Sequence, residues 1–138
     1  MKVCVDASAL LGIALCEPDR DSLLDAIMSA PVRVMSPVNY WESMVRVRRL
    51  FGDAGAASLQ DLIEALPIQI EAATGEHAKV AAEAFAKFGM GHPARLNLGD
   101  CFAYALAVSE GAPLVFKGND FPKTDVLRVF EGNDNYKK

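Results

Sequence analysis

Short runs of β-branched and aliphatic residues alternate with stretches of helical period along almost the whole sequence. That alternation restricts the fold more than any other feature. "KVCV" (2–5), "VRVM" (32–35), "IQI" (68–70), "PLVF" (113–116) and "VLRVF" (126–130) read as strands. Between them the apolar residues keep helical spacing. A helix follows Asp6 through Leu11–Leu15, and Leu23, Leu24, Ile27 and Met28 form the stripe of a second, with Pro18 suited to its first turn. Ser36 and Pro37 make an N-cap and N1 pair that opens a helix to about Phe51. Gly52 and Asp53 break it, after which Leu59, Leu62, Ile63 and Leu66 resume the pattern. Thr74 caps another helix, predicted to turn Val80, Ala81, Ala84, Phe85 and Phe88 inward and to stop at Gly89. A loop (89–97) leads to a last helix, closed by Gly111 and Pro113. Strand–helix alternation without a long linker or repeat predicts an α/β domain, a three-layer α/β/α sandwich with a mostly parallel sheet. Spacing alone does not give the strand order.

The 138 residues suffice for one domain, expected over 1–131, with a frayed, flexible tail at 132–138. With 51% hydrophobic and 23% charged residues, the composition excludes a disordered chain. The net charge of −4 excludes nucleic-acid binding through overall charge, leaving local basic patches or metal ions to do that work. No apolar run approaches the roughly 18 residues of a membrane span, and "MKVCVDASALL" is unlike a signal peptide, so a cytoplasmic protein with no membrane partner is expected. Cys4, Cys16 and Cys101 are too widely spaced for a zinc site and are expected as small buried side chains. His77 and His92 have no partner at ligand spacing and are expected on loops or the surface.

The acidic residues carry the functional signal. In open parallel sheets, sites form beyond the carboxyl ends of the strands. Asp6 directly follows the first strand and Asp120 lies just past "PLVF". Asp100 is in the first turn of the helix preceding "PLVF", and Glu42 is in the second turn of the helix after "VRVM". Each has a plain structural alternative. Asp6 can cap a helix, Asp100 can complement a helix dipole, Glu42 can pair with Arg46, and Asp120 suits a "GND" turn. Gathered at one rim, however, the four would repel one another and recruit a cation. Oxygen donors without clustered His or Cys favour Mg²⁺ or Mn²⁺, ions that can drive attack of water on a phosphodiester. Ser8, two residues after Asp6, can orient that carboxylate or simply start a helix.

"VDASALL" with Asp6, "YWESM" with Glu42, "LNLGDCFAYALA" with Asp100 and "LVFKGNDF" with Asp120 resemble the PIN-domain nucleases, most closely the single-domain VapC-type toxins of bacterial toxin–antitoxin pairs. The resemblance spans essentially the whole chain. It implies a compact α/β/α sandwich and a Mg²⁺- or Mn²⁺-dependent endoribonuclease. Asp6 and Asp100 would then be the main metal ligands, Glu42 and Asp120 would complete the acidic pocket, and Ser8 would support it. Position 119 departs from many relatives: Asn119 keeps an oxygen ligand where they carry a further Asp, so one-metal and two-metal chemistry both stay open. The resemblance further implies a homodimer silenced by a small VapB-type antitoxin, for which segments 9–28 and 50–66 are candidate grooves.

RNA binding by an acidic chain requires local cations. Arg46, Arg48 and Arg49 crowd the helix of Glu42, with Arg46 and Arg49 on its face, while Arg95 precedes the Asp100 helix and Lys117 lies near Asp120. Arg46, Arg49, Arg95 and Lys117 are predicted to rim the pocket and contact phosphates. The competing functions are a housekeeping RNA-processing or DNA nuclease of the same fold, and a non-catalytic binding module. Four intact acids argue against the module, which has no need of a self-repelling pocket.

Overall fold

The computed structural model describes residues 1–129. Four strands, β1 (Lys2–Val5), β2 (Val32–Met35), β3 (Ile68–Ile70) and β4 (Leu114–Val115), form one sheet in the order β3-β2-β1-β4. Every pairing is parallel, so the expectation of a mostly parallel sheet holds throughout. The helices are α1 (Ala7–Ala14), α2 (Arg20–Met28), α3 (Pro37–Ala65), α4 (Gly75–Phe88) and α5 (Leu98–Glu110). Right-handed crossovers put the β1-to-β3 helices on one face and the return to β4 on the other. The packing agrees, since α1 lies against α2 and α3 while α4 lies against α5. The crossover out of β1 runs towards β2, and the one out of β3 returns past β1 to β4 on its other side. This is the switch in strand order where such sheets open a crevice at their carboxyl edge.

β1, β2 and β4 are buried on both faces along most of their length, whereas the edge strand β3 exposes Gln69 and Ile70. Val3, Val5, Val34 and Leu114 are each no more than 1% exposed. Local chemistry sets the helix ends. The Ser36 side chain accepts from Val38 N–H with Pro37 at the first helical position, and Thr74 and Asn97 each form a reciprocal capping box. Gly52 adopts φ 66° and kinks α3 where the sequence predicted a break, and Gly111 closes α5 in the left-handed conformation.

Several expectations need correction. "VLRVF" forms no fifth strand within the described residues. Only an isolated bridge joins Leu114 to Arg128, because β4 itself offers just two residues to pair with. Phe130 and the predicted tail lie outside the described residues. β4 is shorter than "PLVF" since Pro113 has no N–H to give, and Phe116 leaves the ladder to pack on Phe121, ring centroids 5.3 Å apart. Pro18 lies ahead of α2, whose N-cap is Asp19. Met28 and Phe85, expected inward, are exposed, while Leu23, Ile27, Ala81 and Ala84 of the same stripes are buried as expected. Cys4 and Cys101 are buried as predicted, but Cys16 is exposed in a turn with φ 53°. Among the described residues no helix is long and apolar enough to cross a membrane.

Candidate active site

Three acids predicted from the sequence meet at the carboxyl edge of the sheet. Asp6, Glu42 and Asp100 arrive from the end of β1, the second turn of α3 and the first turn of α5, and they share the wall of one hollow of about 390 Å³. Parallel strands run their carboxyl ends to this edge, and the helices that follow them begin here. Helix N-termini carry partial positive charge, so the edge is where carboxylates are best tolerated.

Asp6 is 3% exposed and caps α1, its Oδ2 accepting from Ser8 N–H at 3.0 Å and from the Ser8 hydroxyl at 2.5 Å. The Ser8 oxygen in turn accepts from Lys117 N–H at 2.9 Å, tying the end of β1 to the segment after β4. Burial pushes the Asp6 carboxyl up to about 7; the Ser8 hydrogen bonds oppose this, and the charges of Asp100 and Glu42 add to it. Asp100 is also raised, first by burial, against the Asn97 N–H bond and with Glu42 and Asp120 contributing. Its Oδ2 accepts from Asn97 N–H at 3.0 Å. Asp6 and Asp100 thus fill their structural roles as caps while also facing the hollow. The two readings open for them in the sequence are not exclusive.

Glu42 is held by residues that sequence reasoning missed. Asn39, fully buried one turn earlier on α3, donates from Nδ2 to Glu42 Oε1 at 2.9 Å and to the Gly99 carbonyl at 3.0 Å. Gly99 has no side chain to obstruct this, since a Cβ there would come within 2.4 Å of the Glu42 carboxylate. The i, i+3 spacing of Asn39 and Glu42 and a glycine beside Asp100 were the available signals. What they meant depended on α3 crossing α5.

The remaining predicted residues are placed as follows. Asp120 is exposed at the start of a 3₁₀ turn (Phe121–Lys123), outside the wall of the hollow but near enough for its charge to act on Asp100, with Asn119 exposed beside it. Arg46 and Arg49 line the hollow, and among the described residues neither makes an ion pair. The alternative pairing of Glu42 with Arg46 is therefore not formed. Arg95 is exposed in the turn before α5. The Lys117 ammonium is bound by Glu17 at 3.1 Å and Asp19 at 3.2 Å.

The donor set suits a hard cation. Among the described residues no three His, Cys, Asp or Glu side chains are gathered to enclose an ion by themselves. Mg²⁺ does not require that, because it commonly binds through one or two carboxylates and keeps several waters. Two carboxyls raised by burial and by the charges of neighbouring acids gain from such an ion. Asp6 and Asp100 are the residues that would hold it, with Glu42 close by. A second, apolar hollow of about 410 Å³ separates α1 from the far half of α3, lined by Ile13, Cys16, Phe51, Ser58 and Leu62 among others. It joins the two segments singled out as candidate grooves.

The sequence matches the PIN domain family across residues 3–127. It is 40% identical over 126 residues to a protein named Ribonuclease VapC from Mycolicibacterium smegmatis, covering 91% of this chain and 98% of that one. It is 39% identical over 129 residues to Ribonuclease VapC28 of Mycobacterium tuberculosis, covering 92% and 97%. Among solved structures it shares the fold of VapC20 from Mycobacterium tuberculosis, a toxin that cleaves the sarcin–ricin loop, with a TM-score of 0.73, 16% identity and coverage of 91% and 96%. It also resembles VapBC2 from Rickettsia felis bound to a DNA fragment from their promoter, with a TM-score of 0.69, 15% identity and coverage of 93% and 96%. On its sequence and its fold alike, this chain belongs to the PIN-domain family, in the VapC branch.

Proposed function

We propose that the chain is a ribonuclease toxin of a toxin–antitoxin pair, hydrolysing RNA phosphodiester bonds at its acidic pocket with Mg²⁺ or Mn²⁺. The observation that carries this reading is the meeting of Asp6, Glu42 and Asp100 from three separate elements in one hollow that Arg46 and Arg49 also line. A divalent ion would supply Lewis acidity for the scissile phosphate and for the attacking water. The chain's own groups supply the rest. Arg46 and Arg49, free of ion pairs among the described residues, draw phosphate towards an otherwise repelling pocket. Arg95 and Lys117 lie further out, and Lys117 reaches a phosphate only by giving up Glu17 and Asp19. Ser8 keeps the Asp6 carboxylate oriented, and Asn39 does the same for Glu42. In this reading Asp120 and Asn119 contribute from outside the hollow, the Asp120 charge already acting on Asp100.

The apolar hollow between α1 and α3 supports a VapB-type antitoxin partner whose amphipathic segment lies there. A homodimer belongs to the same reading. The test is cleavage of a mixed RNA pool by the full chain with Mg²⁺, with EDTA, and with Asp6→Asn or Asp100→Asn protein. Cleavage that needs the ion and falls at least ~10³-fold in both variants, about 4 kcal/mol of barrier, is expected. Cleavage that survives chelation and both substitutions overturns the reading. Growth arrest on expression, relieved by a neighbouring antitoxin gene, separates a toxin from a housekeeping nuclease.

A further inference from the structure

The Lys117 side chain does not line the acidic hollow, yet its backbone is tied to Asp6. Strand β4 has only two residues, and beyond them Asp6 N–H still reaches the Val115 carbonyl at 2.9 Å. Helix α1 begins at Ala7, so no strand residue lies opposite Lys117, and its N–H donates to Ser8 Oγ at 2.9 Å instead. A hydroxyl has one proton and two lone pairs. With a lone pair of Ser8 engaged by Lys117, the proton goes to Asp6 Oδ2 at 2.5 Å. The backbone at Lys117 thus sets the direction of the hydrogen bond that orients Asp6.

Phe116 is buried on one side of that backbone, while on the other Gly118 turns the chain at φ 107°. The Lys117 side chain supplies a further anchor. Its stem crosses α1 at Gly12, where an added Cβ would lie 3.7 Å from Lys117 Cδ. Its ammonium lies 3.1 Å from Glu17 Oε1 and 3.2 Å from Asp19 Oδ1, both on the turn between α1 and α2. A single exposed ion pair contributes little, but here one ammonium serves two carboxylates, and the Lys117 and Asp19 side chains are only 27% and 17% exposed. Arg46 and Arg49, by contrast, line the hollow with no carboxylate to give up among the described residues. We infer that Lys117 is a positioning residue, anchored by Glu17 and Asp19 so that its N–H fixes Ser8 and, through Ser8, holds Asp6 at the wall of the hollow. This deepens the ribonuclease reading, on which its rate readout rests, and gives the ammonium a role other than phosphate contact.

The two roles differ in sign. Glu17→Gln combined with Asp19→Asn keeps the ammonium but removes its anchors, which would free a phosphate contact and undo a brace. The full chain with Mn²⁺ is assayed on random-sequence RNA decamers carrying a fluorophore and a quencher, and amide exchange is followed by mass spectrometry on metal-free protein. The double variant and Lys117→Met are each expected to lower kcat about 10-fold, as loss of a ligand's supporting partner does. KM should stay within about twofold of the parent's. Lys117→Arg should restore most of the rate. Exchange should quicken at residues 6–9 as well as at 115–118. Lys2→Met, which breaks the 2.7 Å ion pair with Glu110 at the opposite edge of the sheet, is the control and should keep the parent's kcat. A lower KM or an unchanged kcat in the double variant overturns the brace, as does a raised KM with unchanged kcat in Lys117→Met. An equal loss in Lys2→Met overturns it too, because general loosening would then explain the effect. If the parent cleaves no RNA, the ribonuclease reading falls and exchange alone decides. Protection at 6–9 lost in the double variant upholds the brace, and protection kept refutes it.

Discussion

Two buried ionisable side chains, Arg33 and Asp6, sit on neighbouring strand segments and have opposite fates. Arg33, 8% exposed near the start of β2, donates from Nε to the Ile27 carbonyl and from Nη1 to the Leu66 carbonyl, both at 3.0 Å. Those oxygens belong to the ends of α2 and α3, so a cation meets the negative ends of two helices at the amino edge of the sheet. Asp6, at the carboxyl edge, has donors in Ser8, yet burial and the charges of Asp100 and Glu42 leave its ionised form disfavoured. The fold satisfies the first group from within. It leaves the second in want of a cation from outside. The difference separates a structural buried charge from a functional one more clearly than burial itself does.

The largest expected effect tests the structural side. Arg33→Met removes both bonds and strands two buried carbonyls, so it should cost about 3 kcal/mol. Thermal and urea unfolding should show a melting temperature lower by roughly 10 °C. A variant as stable as the parent would break the comparison, because Arg33 would then be dispensable.

A smaller effect is expected where the functional side is held in place. Gly99→Ala puts a Cβ against the Glu42 carboxylate, and Asn39→Leu removes that carboxylate's donor. Each should lower RNA cleavage about 10-fold, on the order of 1.4 kcal/mol of barrier. Gly99→Ala should leave stability nearly unchanged, since the alanine's helix propensity offsets the displacement. Full activity in Gly99→Ala would show that the position of Glu42 does not matter.

The remaining contrast is in pH dependence. Folding raises the Asp6 carboxyl from 3.8 to about 7, so between those values the folded state holds a proton that the unfolded state has released. Metal-free protein should therefore lose stability as pH rises from about 4 to 7, and lose no more from this group above that. Asp100, raised in the same direction, adds to the trend. Asp6→Asn should flatten it and melt several degrees above the parent at pH 8 in EDTA. Mn²⁺ affinity of the unsubstituted protein should rise through the same window, because the ion displaces the proton. A stability curve identical in parent and Asp6→Asn protein would mean that Asp6 is not destabilised in its charged form.

The capping residues show how far local sequence reaches. Ser36, Thr74, Asn97 and Gly111 act on backbone groups a few residues away, and the helix boundaries they set follow the reading closely. Met28 and Phe85 show where it stops. Helical period assigned them to the inner face along with Ile27 and Ala81, yet the packing of α2 and α4 buries Ile27 and Ala81 and leaves Met28 and Phe85 exposed. The fifth strand failed for a related reason. "VLRVF" has strand composition, but a strand exists only if its neighbour is long enough to pair with, and β4 is not. At the site, Asp6, Glu42, Asp100 and Ser8 were legible because strand ends and helix starts are local features that a parallel sheet carries to one edge, whereas Asp120 stays outside the hollow. Asn39 and Gly99 were not, since each acquires its meaning from a residue outside its own segment.

The sequence by itself determined the element order, the helix caps, the parallel α/β class and the candidate acids, because those follow from interactions within a few residues and from the strand–helix alternation. Only the tertiary structure decided the strand order, the clamp of Asn39 and Gly99 on Glu42, and the commitment of Lys117 to Glu17 and Asp19. The physical reason is range. Capping and periodicity act along the chain, whereas burial, like-charge crowding and side-chain clearance depend on which distant segments the packing brings together.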